Sequence, residues 1–368
     1  MSKIGELIQQ YCPEGVEYVK LGDVCKTKTP PAKLKTADYK DQGLYQIIDQ
    51  GQSQYAGYTD DERYLLPDAE YVLYGDHTCI VKYHKGCFAQ GADGLKILVP
   101  IGQNIKYVFY ALSAYNLTST EYKRHWTQAK EIEIPLPPLP VQKEIVRILD
   151  TFTELQAELQ AELQARQLQF EYYQDFLLNK SQFSNHLSIR NLCIVKKGKT
   201  PIQKAKEGKY PLVVTAMERR SNDEYQFDAN AVCIPLISSR GHGVASLNHV
   251  YYQEGKFALG NILCAVIPMD ESILKAKFLY YYLEYAKDYT LVPLMKGGAN
   301  VSMHCSDIEK VKIPVPSIEQ QEKIISILDK FDGLVNDISQ GLPAEIEARK
   351  QQYEYYRDKL LTFKRKAE

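Results

Sequence analysis

The sequence predicts an α+β chain made by tandem duplication. Two globular units alternate with two long helices, and the helices pair as an antiparallel coiled coil with a pseudo-two-fold relation between the copies. Three observations predict this. One set of residues recurs at a constant offset, the recurring segments space their apolar residues in threes and fours, and the stretches between them are turn-rich and strand-like. The expected segments are residues 1–131 (with a short N-terminal helix), 132–184, 185–312 and 313–368.

The repeat is explicit. Ile134-Pro135-Leu136-Pro137 is followed by Gln142, Ile145, Ile148-Leu149-Asp150, Phe152 and Leu155. Ile313-Pro314-Val315-Pro316 is followed by Gln321, Ile324, Ile327-Leu328-Asp329, Phe331 and Leu334, each 179 residues later. Further on, Phe170-Glu171-Tyr172-Tyr173-Gln174-Asp175 matches Tyr353-Glu354-Tyr355-Tyr356-Arg357-Asp358 at an offset of 183, so the second copy carries about one extra helical turn.

Both repeated segments read as long helices. Pro140 suits the first turn of one, and Ser317 with Gln320 has capping-box spacing for the other. Ile145, Ile148, Phe152, Leu155, Leu159 and Tyr173 trace one seam; Leu328, Phe331, Val335, Ile338, Tyr353 and Tyr356 trace the second. The second seam stays in phase across Gly341 and Pro343, which predicts a bent helix rather than a terminated one. The first carries a tetrapeptide array, Thr153-Glu154-Leu155-Gln156 through Ala161-Glu162-Leu163-Gln164, built from good helix formers.

The intervening stretches hold strand-like runs, Tyr71–Tyr74 and Ile262–Ile267, and close on tyrosine-rich helical runs, Tyr107–Leu112 and Phe278–Leu283. The 28 Tyr against one Trp suit surfaces that are half buried and half polar. Hydrophobic residues at 45% exclude a disordered chain. No apolar run is long enough to cross a bilayer and the first residues do not read as a signal peptide, so a reduced cytoplasmic protein is expected, its eight cysteines acting as small hydrophobes.

Catalytic signatures are missing. No Cys-x-x-Cys pair or zinc-spaced histidine occurs, so no metal is expected. Gly198-Lys199-Thr200 resembles the end of a phosphate-binding loop, but Cys193 stands where the earlier glycine belongs. Gly241-His242-Gly243 reads as a turn. There is no Asn/Asp-Pro-Pro-Tyr/Phe tetrapeptide, His-Glu-x-x-His or Gly-x-Ser-x-Gly, and the histidines are scattered singly. The expectation is a binding protein with no catalytic residues and no cofactor of its own.

Charge is uneven. The net −1 hides +5 in residues 185–312 and −4 in residues 132–184. Lys26, Lys28, Lys33 and Lys35 surround Thr29-Pro30-Pro31 early in the first globular segment. Lys196, Lys197, Lys199, Lys204, Lys206 and Lys209 surround Thr200-Pro201 at the corresponding place in the second. Such loops supply point charges and backbone donors to phosphates. Lys123, Arg124, Arg219, Arg220 and Arg240 are secondary candidates, arginine being suited to guanine edges. The bland reading of each is a solvated cation.

On these residues the whole chain resembles the specificity subunit of type I restriction–modification systems. The resemblance rests on the duplicated Ile-Pro-x-Pro…Gln…Ile-Leu-Asp segment, the Tyr-Tyr-x-Asp close of each helix, and the opening Cys12-Pro13-Glu14-Gly15-Val16. Gly57-Tyr58-Thr59-Asp60 and Gly91-Ala92-Asp93-Gly94 are similar to segments of that family's recognition domains. It implies two target-recognition domains, each reading one half of a split double-stranded DNA sequence, with helices that set the gap. It further implies two modification subunits bringing S-adenosylmethionine, and restriction subunits bringing ATP and magnesium. A helix from about Val141 to Lys180 would span roughly 60 Å, more than one turn of duplex. Two other readings stay open on sequence: a coiled-coil scaffold that reads no DNA, and the specificity subunit of a methylation-only or related restriction system.

Overall fold

The computed structural model describes residues 2–115, 117, 123–337 and 340–367. Its helices are α1 (Lys3–Tyr11), α2 (Leu21–Val24), α3 (Ile105–Ser113), α4 (Trp126–Ala129), α5 (Leu139–Leu178), α6 (Ala276–Thr290), α7 (Cys305–Ile308), α8 (Ile318–Val335) and α9 (Leu342–Leu361). The chain forms two compact units, Met1–Leu159 with Ile346–Glu368, and Gln160–Glu345. Each therefore combines one globular segment with part of α5 and one later helix, a division that cuts across the four segments read from the sequence.

In the first unit, six strands lie in the order Cys25–Lys28, Leu95–Pro100, Leu65–Gly75, Val81–Gln90, Tyr45–Ile48 and Gly57–Thr59. Neighbours are antiparallel except Tyr45–Ile48 on Val81–Gln90. The ladder shifts register between Leu66 and Ala69, around Pro67, which has no N–H to give. Asn104 caps α3 by accepting the Tyr107 N–H at 3.0 Å. The helix then buries Tyr107, Val108, Ala111 and Leu112 in a core shared with Val72, Tyr74 and Leu98 of the sheet. Tyr18–Lys20 pairs with Glu133–Pro135, and Val16 exchanges backbone hydrogen bonds with Lys364 and Lys366, so the end of the chain completes this unit.

In the second unit the same plan is split into two four-stranded sheets. One runs Cys193–Lys197, Leu263–Pro268, Ala231–Pro235, Tyr251–Gln253; the other runs Arg220–Asn222, Tyr210–Val213, Lys256–Leu259, Phe227–Asp228. The single strand Val81–Gln90 thus corresponds to two strands interrupted at Glu254-Gly255. Gly255 has φ +70° and its counterpart Gly86, inside the unbroken strand, has φ +118°, so a β-carbon would strain the backbone at both positions. Helix α6 buries Phe278, Leu279, Tyr281, Tyr282 and Leu283 as α3 does its counterparts.

The helix starts follow the sequence. Pro140 lies in the first turn of α5. Ser317 caps α8 by the expected reciprocal box, its hydroxyl accepting the Gln320 N–H at 3.3 Å while Gln320 Oε1 accepts the Ser317 N–H at 3.3 Å. In the first unit Phe152 stacks on Tyr356 with centroids 5.4 Å apart, while the earlier Ile145 and Leu149 share a core with the later Leu360 and Leu361. In the second, Phe331 packs against Phe170 and Tyr173 at 6.1 and 5.2 Å, and the later Leu177 and Leu178 meet the earlier Ile324 and Leu328. Each pairing is antiparallel. Leu159 is buried, Ile148, Leu155 and Phe152 are half-buried, and Val335 is buried; Tyr353 is half-buried. Ile338 lies outside the described residues. A fully buried seam isoleucine or leucine contributes about 1.5–3 kcal/mol.

One expectation is overturned. The second long helix does not bend at Gly341 and Pro343; it ends at Val335, and a new helix begins at Leu342. Asn336 caps α8, its N–H reaching the Asp332 carbonyl at 2.8 Å. A β-carbon on Gly341 would stand 2.6 Å from the Gly333 carbonyl oxygen and 2.7 Å from that of Asp337, so only glycine fits at this position between the two helices. Pro343 then sits in the first turn of α9, where its missing N–H is harmless.

Candidate nucleic-acid interface

Cys25–Lys28 and Cys193–Lys197 are equivalent edge strands. Lys28 stands opposite Ile97 and Lys196 opposite Ala265, each three residues past a Cys–Pro pair, Cys25 with Pro100 and Cys193 with Pro268. The fold therefore brings the two clusters to the same place on the two domains. Lys26, Lys28, Lys33, Lys35, Lys196, Lys197, Lys199, Lys204 and Lys206 are all exposed. Lysines on an edge strand also block pairing with foreign strands, so placement alone serves two ends.

Their surroundings differ. Lys28 lies 5.5 Å from the Tyr71 ring centroid, a cation–π position that holds the ammonium near the sheet. Lys33 is paired with Asp93 at 2.6 Å, and this hydrogen bond, helped by Arg124 and Lys96, holds the Asp93 carboxyl below its usual range. A phosphate reaching Lys33 must displace that carboxylate. Arg124 and Lys33 thus share one surface around Asp93, which sequence separation hides.

In the second unit the loop after the edge strand is tied down. Gln226 accepts the Lys199 N–H at 2.9 Å and donates to the Lys197 carbonyl at 3.0 Å. The N–H groups of Gly198 and Thr200 bond Leu263 and Leu259 carbonyls at 2.9 and 3.1 Å. Backbone donors at 198–200 are consumed internally, contrary to the expectation that this loop offers them to phosphate; only the side chains remain available.

The arginines separate by role. Arg219 donates to Gln253 Oε1, the Met217 carbonyl and the Tyr252 carbonyl at 3.2, 3.2 and 3.3 Å, and lies 5.2 Å from the Tyr251 ring centroid. Its guanidinium is occupied in holding strands together. Arg220 is exposed on Arg220–Asn222. Arg240 is exposed on residues 236–250, a long connection whose counterpart in the first unit is the short turn at residues 76–80. His242 and Gly243 take left-handed φ values of +61° and +77° there. Arg240 has no first-unit equivalent, which gives the two domains different surfaces. Lys123 precedes α4 and is exposed.

Two duplicated polar features went unassigned at the sequence level. Gln142 is fully buried; its Nε2 donates to the Pro137 carbonyl and Gln103 Oε1, both at 2.7 Å, and its Oε1 accepts the Asn104 N–H at 3.0 Å. Gln321 repeats this on Pro316, Ile273 and Lys275 at 2.9 Å each. These glutamines hook the globular domain onto the start of its helix. Asp150 and Asp329 each take a lysine and a tyrosine from the domain's own helix. Recurrence at the 179-residue offset was the only sequence signal for either.

The model of the type I restriction modification DNA specificity domain matches this chain twice, over residues 13–166 and 185–348. The chain belongs to that family. The specificity subunit of the type I restriction enzyme EcoR124I/EcoR124II from Escherichia coli is 31% identical over 391 residues, covering 95% of this chain and 94% of the relative. The S subunit of a type I restriction–modification system from M. genitalium superimposes with a TM-score of 0.66 at 17% identity, covering 94% of this chain and 96% of that one. A chain from a structure of complex assembly and conformational transition of the type I R-M system gives 0.53 at 14% identity over 95% and 98%. This specificity subunit is therefore a DNA sequence-recognition protein with two recognition domains, and the scaffold reading is not favoured. Among the described residues, no group of three or more His, Cys, Asp or Glu could hold a metal, and no helix is long and apolar enough to cross a membrane.

Proposed function

We propose that each recognition domain reads one half of a bipartite double-stranded DNA sequence, and that the helices set the gap between the halves. The lysine clusters make phosphate contacts that position the domains, with Arg124, Arg220 and Arg240 nearer the base edges. What carries the reading is the duplication itself: edge-strand lysines in one register, and one glutamine hook per domain on the same helical frame.

Helices α5, α8 and α9 dock two modification subunits, and in restricting systems these are joined by restriction subunits. Leu168, Tyr172 and Phe176, spaced by four on α5, are 68%, 64% and 55% exposed, an apolar stripe suited to a partner helix. The modification subunits supply S-adenosylmethionine chemistry on adenine, and ATP and magnesium belong to the restriction subunits; this chain contributes recognition. Mapping methylated adenines after co-expression with modification subunits tests the reading. One bipartite motif with a fixed gap is expected; a contiguous motif overturns it.

A further inference from the structure

A four-residue polar cluster occurs in each unit. In the first, Asp150 Oδ2 accepts Lys106 Nζ at 2.7 Å and Oδ1 accepts the Tyr110 hydroxyl at 2.7 Å, while the Lys106 ammonium lies 5.2 Å from the Tyr83 ring centroid. In the second, Asp329 takes Lys277 at 2.9 Å and the Tyr281 hydroxyl at 2.6 Å, with Lys277 5.5 Å from the Tyr252 ring. Each cluster joins a sheet strand, the domain's own helix and the spacer helix. The aspartate is in both cases the last residue of Ile-Leu-Asp.

The glutamine hook is one polar attachment of a domain to its helix, and the apolar packing beside it, Val141, Ile145 and Leu149 against α3, is non-directional. Asp150 follows Gln142 by roughly two turns, about 12 Å along the helix axis. Two attachments at that separation define an orientation. Beside the first cluster lies a groove of about 350 Å³, lined by Tyr83, Phe109, Tyr110, Asp150 and Thr153, so the polar contacts to Asp150 hold the angle there together with the apolar packing.

We infer that Asp150 and Asp329 are positioning residues that set the angle at which each recognition domain stands on its own helical segment, and thereby how strictly the gap between half-sites is enforced. This rests on the bipartite reading above, and neither carboxylate contacts DNA.

The test uses the full chain with its modification subunits and targets whose gap is lengthened or shortened by one base pair at constant half-sites. In Asp150→Ala, discrimination against off-length gaps falls about tenfold while the half-site bases stay unchanged. The charge-swapped Lys106→Asp, Asp150→Lys chain recovers it. Leu21→Ala, a core change elsewhere in the unit, keeps full discrimination at a comparable thermal loss. If Asp150→Ala does not fold, Asp150→Asn, which keeps the tyrosine bond, takes its place. Wild-type discrimination in both Asp150→Ala and Asp329→Ala overturns the inference, as does equal relaxation by Leu21→Ala. A wild-type complex indifferent to gap length overturns the bipartite reading as well, and is recognised before any substitution is made.

Discussion

Truncating Gln142 to alanine strips partners from three groups at once: the Asn104 N–H, the Pro137 carbonyl and Gln103 Oε1. The glutamine is fully buried, so water does not replace it without rearrangement. A buried backbone group left without its partner costs about 1–3 kcal/mol, so the two backbone groups together predict a loss of about 3 kcal/mol. The damage spreads to α3, because Asn104 is its N-cap and Tyr107 depends on it. Denaturant unfolding of the full chain gives the loss from the midpoint shift at constant slope. Hydrogen exchange locates it: residues 104–108 lose protection in Gln142→Ala, and residues 275–279 do so in Gln321→Ala. A loss under about 1 kcal/mol, or equal deprotection of both stretches by either substitution, would refute the view that each glutamine hooks its own domain.

Replacing Lys28, Lys33 and Lys35 by alanine should weaken DNA binding across sequences and flatten the logarithmic salt slope by about one to three; Lys33 contributes least, being paired with Asp93. An unchanged slope removes them from the interface. Glu144 is pulled from its ordinary 4.5 to about 2 by hydrogen bonds from Arg147 and Lys3, against its burial. A depressed carboxylate stabilises the fold above its unfolded value, so this contribution is complete above pH 4.5 and is lost as pH falls toward 2. Glu144→Gln should flatten acid unfolding across that window, and an unaltered acid limb contradicts the assignment. Gly341→Ala forces a β-carbon onto the Gly333 and Asp337 carbonyls and should lower the melting temperature; unchanged melting would show that the turn relaxes freely.

Much of this architecture was legible because duplication writes each element twice. Pro140, the Ser317–Gln320 box and the seam residues are local signals, and local physics decided them. The break between α8 and α9 was not legible. Apolar phase records which side chains face a partner, and it persists when the chain leaves the helix at Asn336 and resumes at Leu342. The return of the chain end to the first unit was equally hidden, since it depends on Val16 meeting Lys364 and Lys366 across the whole length. At the candidate interface, the lysine positions could be read but their partners could not. Asp93 under Lys33, Gln226 under Lys199, and the strand contacts that occupy Arg219 are all tertiary.

The division of labour between domains and helix is open to one direct measurement. Deleting Ala157–Gln160 from α5 removes about 6 Å of axial rise and leaves a net turn of about 40°, against roughly 3.4 Å and 35° per base pair of duplex. Methylated sites mapped before and after the deletion should keep both half-site sequences and show a gap shorter by one or two base pairs. Altered half-site bases with the gap unchanged would contradict the account.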